Sequence, residues 1–301
     1  MRLALLSVLL LAACSRAPVA GPGPHQIRLV GATAGLPFAE DVAERFTLAA
    51  ADSIAPLAQA DGSASGIARF CGGLGAAHPD LVIATRPLSA AERRGCAIYG
   101  VARIAQIRFG WSALTIVART GEGPPVLTRA QLAAAVSGPA ARWSDIDVGL
   151  APASIALYGP AARTISGDGL ALPARTRGDG GYHPLGADAE LVATTVARTP
   201  GAIGLVPFAY ATREGLRVVP VDGVTPTAET IASGRYPLRI PLFLMVKAGE
   251  ARSVPGMAAL LRLFAASIDP GGAFARAGLV PLGGSKRATA KRALASIAGA
   301  A

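Results

Sequence analysis

Four short polar loops carry the residues that could do chemistry. Thr33 with Ala34, Ser63 with Ser65, and Thr85 with Arg86 each follow a short apolar run, and Arg163-Thr164-Ile165-Ser166-Gly167 follows Ile155 to Tyr158. Hydroxyls and main-chain N–H groups at a helix start can hold a tetrahedral oxyanion without a metal, because those N–H groups lack partners inside the helix and the dipole end is positive. An Arg adds a planar fork of donors. Covalent chemistry has less support. A hydrolase needs a nucleophile with a base, or a metal, and the chain has no G-x-S-x-G, H-E-x-x-H or C-x-x-C. His25 falls in a tether, His78 precedes Pro79 and His183 follows Tyr182; each reads as a surface group. Only a fold that carried His183 to Ser63 or Ser166 would make a serine-type hydrolase. Three Cys and three His are too few for a zinc cluster, so neither metal nor cofactor is expected.

The segments that must position these loops alternate between strand and helix. Ile27 to Val30 is an apolar strand running into Gly31-Ala32-Thr33-Ala34-Gly35, after which Pro37, Phe38, Val42 and Phe46 fall at helical spacing. Asp61 to Gly66 opens the helical stretch Ile67-Ala68-Arg69-Phe70, and Leu81 to Ala84 is a compact strand ending in Thr85-Arg86-Pro87. Farther on, Ala113 to Ala118, Ile155 to Tyr158, Ala202 to Val206 and Pro241 to Val246 read as strands. Thr128-x-x-Gln131 is a capping box for a helix to about Val136, stopped by Gly138-Pro139. Helices are also expected at Leu191 to Arg198 and at the stripe Met257, Leu260, Leu261, Phe264. Such alternation implies an α/β fold with a parallel sheet and ligands at the strand C-termini. At about 150 residues per domain, 301 residues make two lobes.

Composition excludes several classes. Hydrophobic residues at 51% and charged ones at 16% are incompatible with a disordered chain. The 29 basic and 19 acidic residues leave a formal charge of +10, but the arginines are scattered and aromatics are 5%, which argues against nucleic acid. At the start, Met1-Arg2, the apolar run Leu3 to Leu11 and Leu11-Ala12-Ala13-Cys14 have the order of a secretory signal. The last four resemble the lipobox of bacterial lipoproteins, in which the Cys is lipidated. Residues 1–13 are therefore expected to be a signal peptide, Cys14 a lipid anchor to a bacterial membrane, and 14–24 a Pro/Gly tether. Export would place Cys71 and Cys96 in an oxidising compartment, where a disulfide is the economical pairing.

From Ile27 to Leu282 the chain resembles the periplasmic phosphate-binding proteins of ABC transporters. Gly31-Ala32-Thr33 is similar to their first anion loop, Gly62-Ser63-Ala64-Ser65-Gly66 to their second, and Asp80 to Pro87 to the third in one subset; Cys71 and Cys96 resemble a Cys pair in that subset. Pro200-Gly201-Ala202-Ile203-Gly204, Thr225-Pro226-Thr227, Gly234-Arg235-Tyr236-Pro237-Leu238 and Pro241-Leu242-Phe243 follow in the family's order. The resemblance implies two α/β lobes joined by two crossing strands, the type II periplasmic-binding fold. The lobes would be 25–109 with 246–301, and 110–245. It further implies phosphate or a similar oxyanion held by Thr33, the Ala34 amide, Ser63 and Arg86, with Thr164, Ser166 and Gly167 from the fourth loop, where Arg163, Arg175 or Arg177 could assist. A permease would be the partner of a monomeric periplasmic protein. Two departures stand out. Many family members have an Asp in the third loop, which accepts the proton of hydrogen phosphate and so rejects sulfate; here Arg86 stands there, leaving Asp61, Asp168 or Asp179 as acceptors. Trp111-Ser112 replaces an aromatic or small residue followed by Asp.

Overall fold

A computed structural model describes residues 25–50, 53–122, 124, 126–160, 180–186 and 188–299. Cys14, the signal and tether, and the fourth-loop residues Thr164, Ser166 and Gly167 lie outside the described residues, as do Arg163, Asp168, Arg175, Arg177 and Asp179.

The first lobe begins with β1 (Arg28–Gly31), a 3-10 turn at Thr33–Gly35 and α1 (Leu36–Ala49), which has Pro37 in its first turn. Then come β2 (Leu57–Ala60), α2 (Ser63–Cys71), β3 (Leu81–Ala84) and α3 (Ala90–Ile98). The chain crosses to the second lobe along β4 (Ile104–Arg119), much longer than the Ala113 to Ala118 run legible in sequence. That lobe contains α4 (Arg129–Ser137), β5 (Leu157–Gly159), β6 (Tyr182–Pro184), α5 (Ala189–Arg198), β7 (Ile203–Pro207), β8 (Leu216–Val219) and α6 (Ala228–Ser233). The return is β9 (Arg239–Lys247), followed by α7 (Met257–Ser267), α8 (Ala273–Arg276), β10 (Val280–Pro281) and α9 (Gly284–Ile297).

The strand order is β2-β1-β3-β9-β4-β7-β5-β6. The expected parallel pairing holds for β2-β1-β3 and for β7-β5-β6. Between them the crossing strands depart from it, since β9 is antiparallel to both β3 and β4, and β4 is antiparallel to β7. The β4–β9 ladder runs from Ile104 opposite Lys247 to Ala113 opposite Arg239, with a bulge between Arg108 and Gly110. Two α/β lobes joined by two crossing strands is therefore the architecture.

One contiguous core reaches into both lobes through these strands. On its first-lobe side Phe109 of β4 packs edge-on against Phe264 of α7, with ring centres 5.0 Å apart. Phe274 and Phe38 complete an aromatic cluster, each ring fully buried. Such rings supply much of the apolar burial that fixes α1, α7 and α8 against the sheet.

Candidate functional site

The first three loops are stitched together at the C-terminal ends of β1 and β3. Gly31 adopts φ +140°, and a Cβ built there would lie 1.9 Å from the Ile83 carbonyl oxygen, so only glycine lets β1 lie this close to β3. The Ala32 N–H donates to Ile83 O at 2.8 Å, and the N–H groups of Asp61 and Gly62 donate to Gly31 O at 2.9 and 2.8 Å. The start of α2 packs on the same glycine; a Cβ on Gly66 would come 2.9 Å from Gly31 Cα.

This stitching buries the hydroxyls that sequence reasoning singled out. Thr33 is 4% exposed and its Oγ1 has no hydrogen-bond partner among the described residues. A buried hydroxyl without a partner is costly, which makes it a candidate contact for a bound group. Ala34, beside it in the 3-10 turn, is equally buried. Ser63 opens α2, where its Oγ accepts the Thr85 N–H at 3.0 Å and lies 3.0 Å from Thr85 Oγ1. Thr33 and Ala34 line a hollow of about 10 Å³, room for about one water. Its other walls include Leu114 and Ile240 of the crossing strands and Pro160, Asp188 and Leu205 of the second lobe.

Arg86 is placed differently from the hydroxyls. Its Nη1 and Nη2 donate to Glu92 at 2.8 and 2.7 Å, and Nη1 also donates to Pro87 O at 3.1 Å. Glu92 is in turn the third residue of α3, closing a capping box with Ser89. The Arg86 bond, then the Ser89 N–H and hydroxyl, outweigh partial burial and hold the Glu92 carboxyl down at about 2. The third loop thus turns Thr85 toward Ser63 and Arg86 toward α3. Asp61, a possible proton acceptor by sequence, is paired with Arg69.

On the opposite wall Asp188 caps α5, accepting the Leu191 N–H at 2.9 Å. Sequence explains that role, but not its position in the hollow. Burial, and secondarily the Asp188 charge, raise the carboxyl of Glu40 on α1 above the ordinary range. Burial first, then Glu40 and Glu190, push the Tyr210 phenol up to about 12.

Among the described residues no hydrogen bond joins a histidine to a serine or threonine hydroxyl, and Ser166 lies outside them. His183 stacks on Tyr158 with ring centres 5.2 Å apart. His25 corrects the tether reading, because it is part-buried and its Nε2 lies 2.9 Å from Asp80 Oδ1. The same carboxylate accepts the Arg28 N–H at 3.0 Å, pinning the start of β1. Cys71 and Cys96 are joined in a disulfide that ties the end of α2 to α3.

The chain matches the family model of the PBP superfamily domain over residues 18–267. Among curated proteins it is similar to the phosphate-binding protein PstS of Bacillus subtilis, 44% identical over 43 residues, a match covering 14% of each chain. The structure resembles a possible phosphate binding protein from Planctomyces limnophilus, with TM-score 0.65, 22% identity, and coverage of 91% of this chain and 99% of that one. It also resembles a candidate phosphate ABC transporter substrate-binding protein from Clostridium perfringens, solved with phosphate bound (TM-score 0.65, 18% identity, coverage 86% and 100%). An ABC-type phosphate transport receptor from Vibrio cholerae aligns with TM-score 0.57, 20% identity, and coverage of 78% and 93%. The two-lobed architecture, the crossing strands and the match over most of the chain agree: the chain belongs to the PBP superfamily.

Proposed function

We propose that the protein is an exported solute-binding protein that captures inorganic phosphate, or a similar tetrahedral oxyanion, between its lobes and passes it to an ABC transporter permease. The observation that carries this reading is the buried Thr33 hydroxyl, without a partner among the described residues, on a loop that Gly31 ties to the loop bearing Ser63. Relatives of the same fold described as phosphate-binding supply the ligand class. Thr33, the Ala34 amide, Ser63 and Thr85 are the first lobe's donors in this reading. Thr164, Ser166 and Gly167 are those of the second, and the lobes divide as 25–109 with 246–301, and 110–245. No bond of the solute is broken. A monomer anchored through Cys14 to a bacterial membrane, in the periplasm, completes the proposal.

A weak-binding sensor or accessory protein is the second reading, favoured by the engagement of Arg86 with Glu92. Differential scanning calorimetry with phosphate, sulfate and molybdate separates the two. A transporter-type binder gains melting temperature by mass action with its cognate anion, about 2.7 kcal/mol at one hundred times Kd. Thr33→Val and Ser63→Ala lose that gain. No shift with any oxyanion at millimolar concentration rejects the capture reading.

A further inference from the structure

The two crossing strands carry a cluster outside the candidate oxyanion donors named above. The indole of Trp111 on β4 has the Arg108 guanidinium carbon 4.1 Å and the Arg239 guanidinium carbon 4.2 Å from its centre. The β4 bulge puts Arg108 and Trp111 on one face, opposite Phe243 and Pro241 of β9, and along β9 Arg239, Pro241 and Phe243 are half-buried while Ile240, Leu242 and Leu244 are buried. This face therefore alternates cations with apolar and aromatic side chains. It continues into a groove of about 410 Å³ that includes Arg108, Phe243, Leu282 and Lys286.

What sets the cluster apart is that two guanidinium groups converge on one indole. Arginines such as Arg69, Arg86 and Arg129 reach a carboxylate, whereas others, Arg103 and Arg262 among them, reach none within salt-bridge distance among the described residues. Arg108 and Arg239 have none within salt-bridge distance among the described residues, although each repels the other. Burial and the Arg239 charge lower the Arg108 pKa, the cost expected when two cations share one ring. The indole face offsets part of that cost; a carboxylate would offset more. A single small anion would use the charges but not the apolar lining, whereas Trp and Arg beside apolar surface are the residues enriched where proteins dock.

We propose that the Arg108–Trp111–Arg239 stack and its groove are a docking surface for a partner-protein segment carrying carboxylates interspersed with apolar side chains. Arg108 belongs to the first-lobe stretch of β4 and Arg239 to the end of β9 nearest the second lobe, so such a segment would bridge the crossing strands. The proposal is independent of which oxyanion the cleft holds.

The probe is a fluorescein-labelled peptide of alternating glutamate and leucine, titrated into the full chain with anisotropy and tryptophan emission as readouts. The expected result is saturable binding that weakens as salt is raised, changes the indole emission, and falls at least about tenfold in Arg108→Gln/Arg239→Gln. The emission change disappears in Trp111→Phe. Circular dichroism and the ligand-free melting temperature check that the variants are folded; if the double variant is not, either single Arg→Gln change must still weaken binding. Equal binding by the double variant, equal binding of a lysine–leucine peptide, or binding to phosphatidylglycerol vesicles without peptide binding would each overturn the proposal.

Discussion

Replacing Gly31 by Ala tests whether close approach of β1 to β3 assembles the loops. The backbone there has φ +140°, and the added Cβ would sit 1.9 Å from Ile83 O and 2.8 Å from Ile83 C. Strain of an L side chain in that region costs about 1–3 kcal/mol, and overpacking against main chain that cannot rotate away costs about 1–3 kcal/mol more. Together these place Gly31→Ala near 4 kcal/mol, among the most damaging single changes. At roughly 2–4 °C per kcal/mol for a chain of this size class, the melting temperature falls by about 10 °C. Gly121→Ala is the matched control, because Gly121 also has positive φ (+82°) but a Cβ there meets nothing within 4 Å. Calorimetry of the three proteins without ligand reads the difference. Since Gly31 O receives the Asp61 and Gly62 N–H groups, the phosphate-induced shift of Gly31→Ala should also shrink. A midpoint within about 3 °C of the Gly121→Ala control would refute the packing argument.

Four further outcomes follow from other contacts of the structure. Glu92→Gln releases Arg86 and should enlarge the phosphate-induced melting shift, an increase that vanishes in Arg86→Ala/Glu92→Gln; no increase means that Arg86 does not serve the site. Because Glu92 sits at about 2 when folded against an ordinary 4.5, the pair stabilises above pH 4.5 and is lost as pH falls toward 2, by less than about 1 kcal/mol for so exposed a pair. Lys247, 5% exposed, donates from Nζ to Gly73 O at 2.5 Å, and burial lowers its ammonium from 10.5 to about 8. Between those values the unfolded chain binds the extra proton, so stability should rise from pH 8 to 10.5 relative to Lys247→Met; parallel melting curves for the two proteins would count against it. Reducing the Cys71–Cys96 bridge, which closes a separation of 25 residues, should cost about 3–4 kcal/mol in urea unfolding under the chain-entropy model. Unreduced protein that alkylates at either Cys would contradict the pairing.

Local signals in the sequence read well where chemistry is short-range. The Thr128–Gln131 capping box forms as its spacing requires, and Ser89–Glu92 carries the same signature. The crossing strands were only half visible. Arg108 breaks the apolar run and the bulge beside it shifts the alternation, so β4 reads from Ala113 although it starts at Ile104. β10 is two residues long and exists through its pairing with β4, which no periodicity records. At the site, hydroxyls beside glycines identified Thr33 and Ser63, whose burial follows from Gly31. The partner of Arg86 was hidden because Glu92 lies six residues away around a turn, a geometry set by the start of α3 and not by any repeat. That same turn leaves Thr85, rather than its neighbour, against Ser63.

The insertion of β9 between β3 and β4 dictates how the polypeptide can assemble. Its residues arrive more than a hundred positions after those of β3, yet they complete the sheet on which both halves depend. Contacts so distant in the chain slow folding, and a product truncated before Arg239 would expose two raw strand margins, an invitation to self-association. The first half, drawn from both ends of the chain, cannot be cut out as a contiguous fragment, and the second, cut at β4 and β9, would lose the strands that each pairs with.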